Sequence, residues 1–170
     1  IRLDHFRAID SFYAVKRGEK TAKNGKWIEG PKMSLINALK SVQNDHLIIA
    51  EDLGEITDSV RNLVRESGFM CTRVLQFGFL SCDDTHRPHS YPENCVAYTG
   101  THDNNTLLGY IWEMDPEKRK EFFDYCGYTG SDIDGCYENI FRMMFQSSAG
   151  ILIMPLQDLL LYGSDTRINT

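Results

Sequence analysis

Residues 46–77 read HLIIAEDLGEITDSVRNLVRESGFMCTRVLQF, and this stretch decides the fold class. The apolar run over residues 47–50 predicts a buried strand, because it leaves no polar face. Apolar side chains recur at helical spacing over residues 59–66, and Gly68 follows them as a helix C-cap. A second strand is predicted over residues 72–77. A strand, a helix and a strand in this order predict two parallel strands joined by a helical crossover.

The same alternation continues on both sides of this stretch. Short apolar runs predict further strands over residues 1–3, 96–99 and 151–154. Helical patterns predict further helices over residues 34–43, 116–125 and 133–148. Asp115 and Pro116 are a favourable N-cap and first residue for the second of these. The chain is therefore predicted to be an α/β protein built on a parallel sheet.

The composition is that of a folded, acidic domain. Hydrophobic residues make up 42% and charged residues 25% of the 170 residues, which excludes a wholly disordered chain. The chain has 18 Lys and Arg against 24 Asp and Glu, and its net charge is −6. An acidic balance disfavours binding to a phosphate backbone, so we expect no nucleic-acid partner. The length fits one domain.

The cysteines and the apolar stretches exclude two further classes. The chain has an odd number of cysteines and no C-x-x-C pair; they are Cys71, Cys82, Cys95, Cys126 and Cys136. This pattern favours reduced thiols in a cytosol over a disulfide framework or a zinc knuckle. The most apolar stretch, residues 151–162, is interrupted by Pro155, Gln157 and Asp158, so no membrane segment is expected.

Two longer connections separate the predicted elements, over residues 16–32 and 81–94. The first is rich in Lys and Gly, which would suit an anion-binding surface. It also contains Glu19 and Glu29, and a solvated loop is the interpretation we favour. No chemistry is assigned to it.

Acidic side chains follow four of the predicted strands. They are Asp4, Glu51 with Asp52, Asp103 and Asp158. The carboxyl ends of parallel strands face one side of a sheet, where barrel enzymes place their chemistry. We therefore expect these carboxylates to converge at one edge of the sheet.

Each acidic position has a structural interpretation beside the functional one. Arg2 and Asp4 lie on one face of a strand, where a guanidinium provides a counter-charge for a carboxylate nucleophile. Taken alone, the pair favours a plain ion pair. Glu51 could serve as a general acid, or it could cap the turn through Gly54. Asp103 belongs to a run of six polar residues, 101–106, which is more than a simple turn needs.

Three motifs, taken in order, resemble those of the 4-alpha-glucanotransferases, the amylomaltase or disproportionating-enzyme branch of the alpha-amylase superfamily. They are RLDHFR at residues 2–7, AEDLG at 50–54 and TGTHDNNT at 99–106. Further matches are VLQF at 74–77, PHSYP at 88–92 and PLQD at 155–158. The resemblance covers essentially the whole chain. One departure is Asn105, where the family commonly has an aspartate.

The resemblance implies a partial (β/α)8 TIM barrel, roughly strands 4 to 8 with their helices. Because 170 residues fall short of the ~250 typical of a complete barrel, we expect residues 1–170 to be the C-terminal half of a catalytic barrel. The chain would then be a fragment of a longer one. Its first residue is Ile1, so a targeting peptide on that longer chain stays an open alternative.

The resemblance also implies a retaining double displacement on alpha-1,4-glucans. Asp4 would be the nucleophile, Glu51 the general acid and Asp103 the carboxylate that stabilises the transition state. Substrate contacts would come from Arg2, His5, Asp52, His102 and Asn104. The partner would be a maltooligosaccharide or alpha-glucan, with no cofactor and no metal, in the cytoplasm or, for a plant protein, in a plastid. The oligomeric state stays undetermined.

Two other functions compete with this interpretation. A metal-dependent barrel hydrolase would use His5, His102 and the strand-end acids as ligands, although the chain has no His-x-His pair. A glucan-binding or structural fragment without activity is the second, since half a barrel exposes strand edges and lacks part of its site. We expect the isolated chain to be weakly active or inactive.

Overall fold

The computed structural model describes residues 1–80 and 84–169. Cys82, one of the five cysteines, lies outside the described residues. The chain divides into two compact units, an N-terminal unit (Ile1–Thr72) and a C-terminal unit (Arg73–Thr170).

The described strands are short, and helices or 3-10 turns lie between them. The strands are β1 (Arg2–Leu3), β2 (Ser11–Ala14), β3 (Lys26–Glu29), β4 (Ile49–Ala50), β5 (Cys71–Val74), β6 (Cys95–Tyr98) and β7 (Ile151–Ile153). The helices are α1 (Arg7–Asp10), α2 (Lys32–Val42), α3 (Asp58–Ser67), α4 (Leu107–Glu113), α5 (Pro116–Tyr125), α6 (Ile133–Phe145) and α7 (Leu156–Leu159).

In the N-terminal unit, β1 and β4 pair in parallel, with Arg2 opposite Ile49 and Leu3 opposite Ala50. The predicted helix at 59–66 is α3, and both of its ends are capped. The Thr57 hydroxyl accepts a hydrogen bond from the Val60 amide, and Gly68 ends the helix at φ +68°. The predicted C-cap is therefore confirmed. Phe6, Ile36 and Val60 are fully buried in the core of this unit.

In the C-terminal unit, β6 and β7 pair in parallel, with Ala97 opposite Leu152. They belong to a three-stranded sheet in the order β5-β6-β7. Asp115 caps α5 through the Lys118 amide, and α5 has the predicted bounds. Phe79 and Phe122 meet edge to face, with ring centroids 4.6 Å apart.

The structure corrects the predicted strand over residues 72–77. The strand ends at Val74, and Leu75–Phe79 forms a 3-10 turn. Four residues of that turn are buried: Leu75, Gln76, Gly78 and Phe79. A buried apolar run carries no periodicity that separates a strand from a turn, which explains the error.

The connection over residues 16–32 is also more ordered than predicted. It contains β3, which pairs antiparallel with β2 in a hairpin. All four residues of β3 are exposed, so its sequence lacks the apolar and polar alternation by which strands are recognised. The expectation of a solvated segment holds, but the expectation of a loop is wrong.

The parallel pairs confirm the α/β prediction, whereas the hairpin makes the sheet content mixed. Across residues 1–80 and 84–169, the strands form two pairs and one triplet that do not close into a barrel.

Burial raises the pKa of the Cys136 thiol to about 12 and also raises the pKa of Cys126.

Candidate active site

Asp4 and Glu51, two of the predicted catalytic acids, each come directly after a strand of the β1-β4 pair, in which Leu3 lies opposite Ala50. Beyond β1 and β4 the hydrogen bonding continues, because the Glu51 amide donates to the Leu3 carbonyl at 3.0 Å. The Phe6 amide then donates to the Glu51 carbonyl at 2.9 Å. Main-chain bonds on both sides of Glu51 therefore fix its position relative to the Asp4 segment.

The Glu51 carboxylate accepts hydrogen bonds from two backbone amides. The His5 amide reaches Oε2 at 2.6 Å, and the Leu53 amide reaches Oε1 at 3.1 Å. The second bond caps the turn that leads into Gly54, which has φ +85°. Glu51 therefore does cap this turn, as one of the two interpretations predicted. Each carboxylate oxygen has a second lone pair, so the chemical role does not conflict with the cap.

Asp4 is open to solvent and paired with a cation. Its Oδ1 lies 3.0 Å from Nη2 of Arg2, and its side chain is 81% exposed. His5 follows in a left-handed backbone conformation, with φ +48°. A non-glycine residue adopts such a conformation where neighbouring contacts impose it, and here the His5 amide binds Glu51.

Asp52 differs from its neighbour Glu51 because it is buried. Its Oδ1 accepts a hydrogen bond from the Thr72 amide at 2.6 Å. The Thr72 hydroxyl in turn donates to the Ala50 carbonyl at 2.9 Å. These contacts make Asp52 a support of the turn after β4.

The third predicted acid lies in a loop of the C-terminal unit, residues 99–107, between β6 and α4. Within this 99–107 loop, Oδ1 of Asn104 accepts hydrogen bonds from the amide and the hydroxyl of Thr101, at 2.9 and 2.8 Å. The Asp103 amide donates to the Thr101 hydroxyl at 3.3 Å. The loop is therefore held internally by its own side chains.

His102 and Asp103 project from this loop, with side chains 57% and 67% exposed. Nε2 of His102 lies 3.2 Å from Oδ2 of Asp103. Nδ2 of Asn169 donates to Oδ1 of Asp103 at 3.2 Å and to the His102 carbonyl at 3.3 Å. The Asp103 carboxylate thus has one contact from inside the loop and one from the C-terminal segment.

Asp158 connects both ends of the 99–107 loop. The Thr99 hydroxyl donates to its Oδ2 at 2.5 Å, and the Leu107 amide donates to its Oδ1 at 2.7 Å. The side chain is 1% exposed. Burial raises the pKa of Asp158, although the bonds from Leu107 and Thr99 act in the opposite direction.

Asn105, the departure from the family pattern, has three partners. Its carbonyl accepts a hydrogen bond from the buried Gln76 side chain at 2.8 Å. Its Nδ2 donates to Oε1 of Glu113 at 2.8 Å, and its Oδ1 accepts from the Thr106 amide at 2.8 Å. An aspartate in place of Asn105 would set two carboxylates against each other, so Glu113 provides a physical reason for the amide.

A cavity of about 380 Å³ lies beside the 99–107 loop in the C-terminal unit. Its lining includes Thr101, His102, Asn104, Gln157, Arg167 and Asn169. Hydroxyl, amide, imidazole and guanidinium groups line one space, which is the polar set that a polyhydroxyl ligand needs.

The structure brings the predicted residues together within each unit. The N-terminal unit holds Arg2, Asp4, His5, Glu51 and Asp52 around one turn; the C-terminal unit holds His102, Asp103 and Asn104 in one loop. The convergence of all the strand-end carboxylates stays a prediction.

Sequence reasoning missed the supporting roles of Gln76, Asp158 and Asn169. Asp158 was visible as an acid after a strand, but its burial and its two partners were not. Gln76 falls in the run mistaken for a strand, and Asn169 gave no signal.

Residues 1–80 and 84–169 contain no group of three or more His, Cys, Asp or Glu side chains placed to hold a metal ion. In the same part of the chain, no helix combines the length and apolar character that crossing a membrane requires.

Comparisons with known proteins agree with the motifs. The family model Glyco_hydro_77, described as 4-alpha-glucanotransferase, matches residues 1–170. The 4-alpha-glucanotransferase of Clostridium butyricum is 40% identical over 171 residues, covering 99% of this chain and 35% of the relative. The Arabidopsis thaliana protein, named 4-alpha-glucanotransferase DPE1, chloroplastic/amyloplastic, is 39% identical over 170 residues, 99% of this chain and 29% of its own length.

A solved structure gives the same result. Amylomaltase from Streptococcus agalactiae in complex with acarbose superimposes with a TM-score of 0.89 at 29% identity, covering 99% of this chain and 34% of that chain. The chain thus spans about a third of the length of the relatives it matches. Because the family model matches residues 1–170, this chain belongs to the 4-alpha-glucanotransferase family.

Proposed function

We propose that the protein containing this chain is a retaining 4-alpha-glucanotransferase. It would transfer alpha-1,4-glucan segments to the 4-hydroxyl of an acceptor glucan or of glucose. The observation that carries the proposal is the placement of Asp4 and Glu51 after two paired parallel strands, in a chain of this family. A carboxylate nucleophile and a carboxylic acid at fixed separation are what a retaining reaction requires.

We also propose that residues 1–170 form the C-terminal half of the catalytic (β/α)8 barrel, roughly strands 4 to 8. The match to about a third of the Streptococcus agalactiae amylomaltase supports this assignment. The missing strands would then belong to a longer chain, which works in the cytoplasm or, in a plant, in a plastid.

In the first half-reaction, Asp4 attacks the anomeric carbon of the donor glucan. A carboxylate-carbon bond forms while the glycosidic carbon-oxygen bond breaks, and Glu51 gives its proton to the departing oxygen. The Arg2 guanidinium, 3.0 Å from Asp4, supplies the counter-charge for the attacking carboxylate.

In the second half-reaction, the ionised Glu51 takes the proton of the acceptor 4-hydroxyl. The acceptor oxygen bonds to the anomeric carbon, and Asp4 leaves as a carboxylate. In both half-reactions, the negative charge of Asp103 would stabilise the oxocarbenium-like transition state. Two inversions at one carbon give net retention.

The substrate is proposed to be a maltooligosaccharide or another alpha-glucan. His5, His102 and Asn104 would hydrogen-bond to sugar hydroxyls, and the cavity that His102 and Asn104 line supports this role. Asp52 would contribute by positioning Glu51 through the turn after β4. The acarbose complex of the Streptococcus agalactiae relative gives independent support for a sugar-binding site.

Incubation of the parent protein with maltotriose tests the proposal. We expect glucose together with longer maltooligosaccharides, and we expect the 170-residue chain alone to be weakly active or inactive. Asp4→Asn should abolish turnover, because an amide cannot form the covalent intermediate. Asp45→Asn is the matched control, since Asp45 is exposed and lies outside the site.

The product pattern also separates the competing functions. Hydrolysis alone, or full activity of the Asp4→Asn variant, would contradict the mechanism. Activity that disappears on chelation and returns with a stoichiometric divalent ion would favour the metal-dependent hydrolase.

A further inference from the structure

We propose that Asp158 is a positioning residue that sets where the 99–107 loop presents His102 and Asp103. The inference rests on the proposed function for its effect on turnover. Asp158 lies outside this loop, in α7, which follows β7 in the chain.

The first argument is geometric. Asp158 binds the first residue of the loop, through the Thr99 hydroxyl at 2.5 Å, and its last residue, where α4 begins, through the Leu107 amide at 2.7 Å. One carboxylate therefore joins the entry and the exit of the loop, and its two oxygens are each used once. A side chain that bound only one end of the loop would leave the other end without this restraint.

The second argument is energetic. A carboxylate that is 1% exposed has lost nearly all of its hydration, which is costly unless hydrogen bonds replace the water. Among residues 1–80 and 84–169, no Lys, Arg or His forms a salt bridge with it. Thr99 and Leu107 supply the compensating bonds, so releasing either one leaves a buried charge short of a donor.

The third argument concerns how a displacement would propagate. Thr101 and Asn104 bond to each other inside the loop, and Gln76 holds the Asn105 carbonyl. A loop with this internal bonding shifts as a body when its ends move. His102 and Asp103 are more than half exposed, so their positions depend on the loop backbone more than on packing around their side chains.

The test uses the parent protein and four variants. Thr99→Val removes the donating hydroxyl and keeps the side-chain shape, whereas Thr99→Ser keeps the hydroxyl. Asp158→Asn removes the charge that strengthens both bonds and turns one accepting oxygen into an NH2 group. Asp165→Asn is the control, because Asp165 is exposed, lies in the same C-terminal segment and has the same charge change.

Hydrogen-deuterium exchange of peptides covering residues 99–107 is the first measurement. We expect exchange about three- to tenfold faster in Thr99→Val and in Asp158→Asn, and wild-type exchange in Thr99→Ser and Asp165→Asn. Wild-type exchange in Thr99→Val would overturn the proposal. If Asp158→Asn does not fold, the Thr99 pair alone decides.

Kinetics on maltotriose is the second measurement. We expect kcat to fall about 10- to 100-fold in Thr99→Val with KM changed less than about twofold, and Thr99→Ser to restore kcat. A lower yield of folded protein with unchanged kcat per folded molecule would show a merely structural role and would overturn the proposal. If the wild-type parent does not disproportionate maltotriose, the proposed function fails, while the exchange data still decide whether Asp158 positions the loop.

Discussion

The two units present their acidic groups by different means. In the N-terminal unit, backbone amides and carbonyls hold the turn that carries Asp4 and Glu51, from the β1-β4 pairing to the amide bonds on the Glu51 carboxylate. In the C-terminal unit, side chains hold the loop that carries Asp103, with Asp158, Gln76 and Asn104 as the main supports.

This difference predicts a difference in vulnerability. Main-chain hydrogen bonds survive most side-chain substitutions, so the N-terminal arrangement should be sensitive at the acids themselves and tolerant around them. Side-chain supports can each be removed by one substitution. The C-terminal loop should therefore be sensitive at residues that never contact a substrate.

After the loss of turnover in Asp4→Asn, the largest expected effect is at Glu51, in the unit supported by the main chain. Glu51→Gln should lower kcat for maltotriose disproportionation by about 10²- to 10⁴-fold, because an amide cannot donate or take the transferred proton. Glu66→Gln, an exposed change on α3, should leave kcat unchanged. If Glu51→Gln keeps wild-type activity, capping the turn before Gly54 is the whole role of Glu51.

Gly100→Ala should have the next largest effect, in the unit supported by side chains. A Cβ at residue 100 would lie 2.5 Å from Nε2 of Gln76, which must then leave the Asn105 carbonyl. We expect the free energy of unfolding to fall by about 1–3 kcal/mol in urea denaturation. In a Gln76→Ala background the same change should cost much less, and an equal cost in both backgrounds would exclude the clash as its cause.

Gly54→Ala is the matched change in the N-terminal unit. Nothing lies within 4 Å of the Cβ position there, but φ is +85°. The cost should be about 1–2 kcal/mol, from backbone conformation alone, and no neighbouring substitution should relieve it. If a neighbouring substitution did restore the stability, the two units would differ less than their hydrogen bonding indicates.

A smaller effect is expected at Asn105, the departure from the family pattern. Asn105→Asp should destabilise the protein by about 0.5–1 kcal/mol at low salt and by less at high salt, because its carboxylate would face the exposed Glu113. Adding Glu113→Gln should restore the stability, since the new amide can donate to the new carboxylate. Denaturation of both variants and of Glu113→Gln alone, at two salt concentrations, checks this. A cost that does not depend on salt would point to the Thr106 amide contact instead.

The smallest effect is a pH dependence that belongs to the buried acid of the C-terminal unit. Because burial raises the pKa of Asp158 above its usual 3.8, the folded protein binds this proton more readily than the unfolded chain does. The resulting stabilisation is complete below the unfolded pKa and is lost as the pH rises through the folded pKa. Asp158→Asn should flatten this dependence, so that the urea midpoints at about pH 4 and pH 7 differ less in the variant than in the wild type.

Exposed Asp132 should behave in the opposite way. The Tyr128 hydroxyl lowers its pKa, so its contribution is present above 3.8 and is lost as the pH falls. The same slope in Asp132→Asn and Asp158→Asn would contradict the assignment of burial as the cause for Asp158.

The sequence predicted those features that depend on local pattern. Capping residues fixed the bounds of α5 and the end of α3, and the order of apolar runs predicted the parallel pairs. The hairpin of β2 and β3 was missed because exposed strands do not alternate. Leu75–Phe79 was misassigned because a run buried on all sides has no period.

For the candidate site, the acids were found from the sequence and their supports were not. Asp4, Glu51 and Asp103 follow apolar runs, which is a local signal. The partner of Thr99 lies 59 residues further on, and that of Gln76 lies 29 residues further on. Contacts at such separations depend on tertiary packing, which no window of sequence records.

The β1-β4 pairing has a stereochemical consequence. Asp4 and Glu51 are 47 positions apart in the chain, yet the first rung after the two strands, from the Glu51 amide to the Leu3 carbonyl, sets their alignment. Sliding one strand by a single residue would move the acids about 3.3 Å relative to each other and turn one side chain to the opposite face. Carboxyl groups stand about 5–5.5 Å apart in retaining enzymes and about 6.5–9.5 Å apart in inverting ones. Under the proposed mechanism, two strands of two residues each would decide which anomer leaves the enzyme.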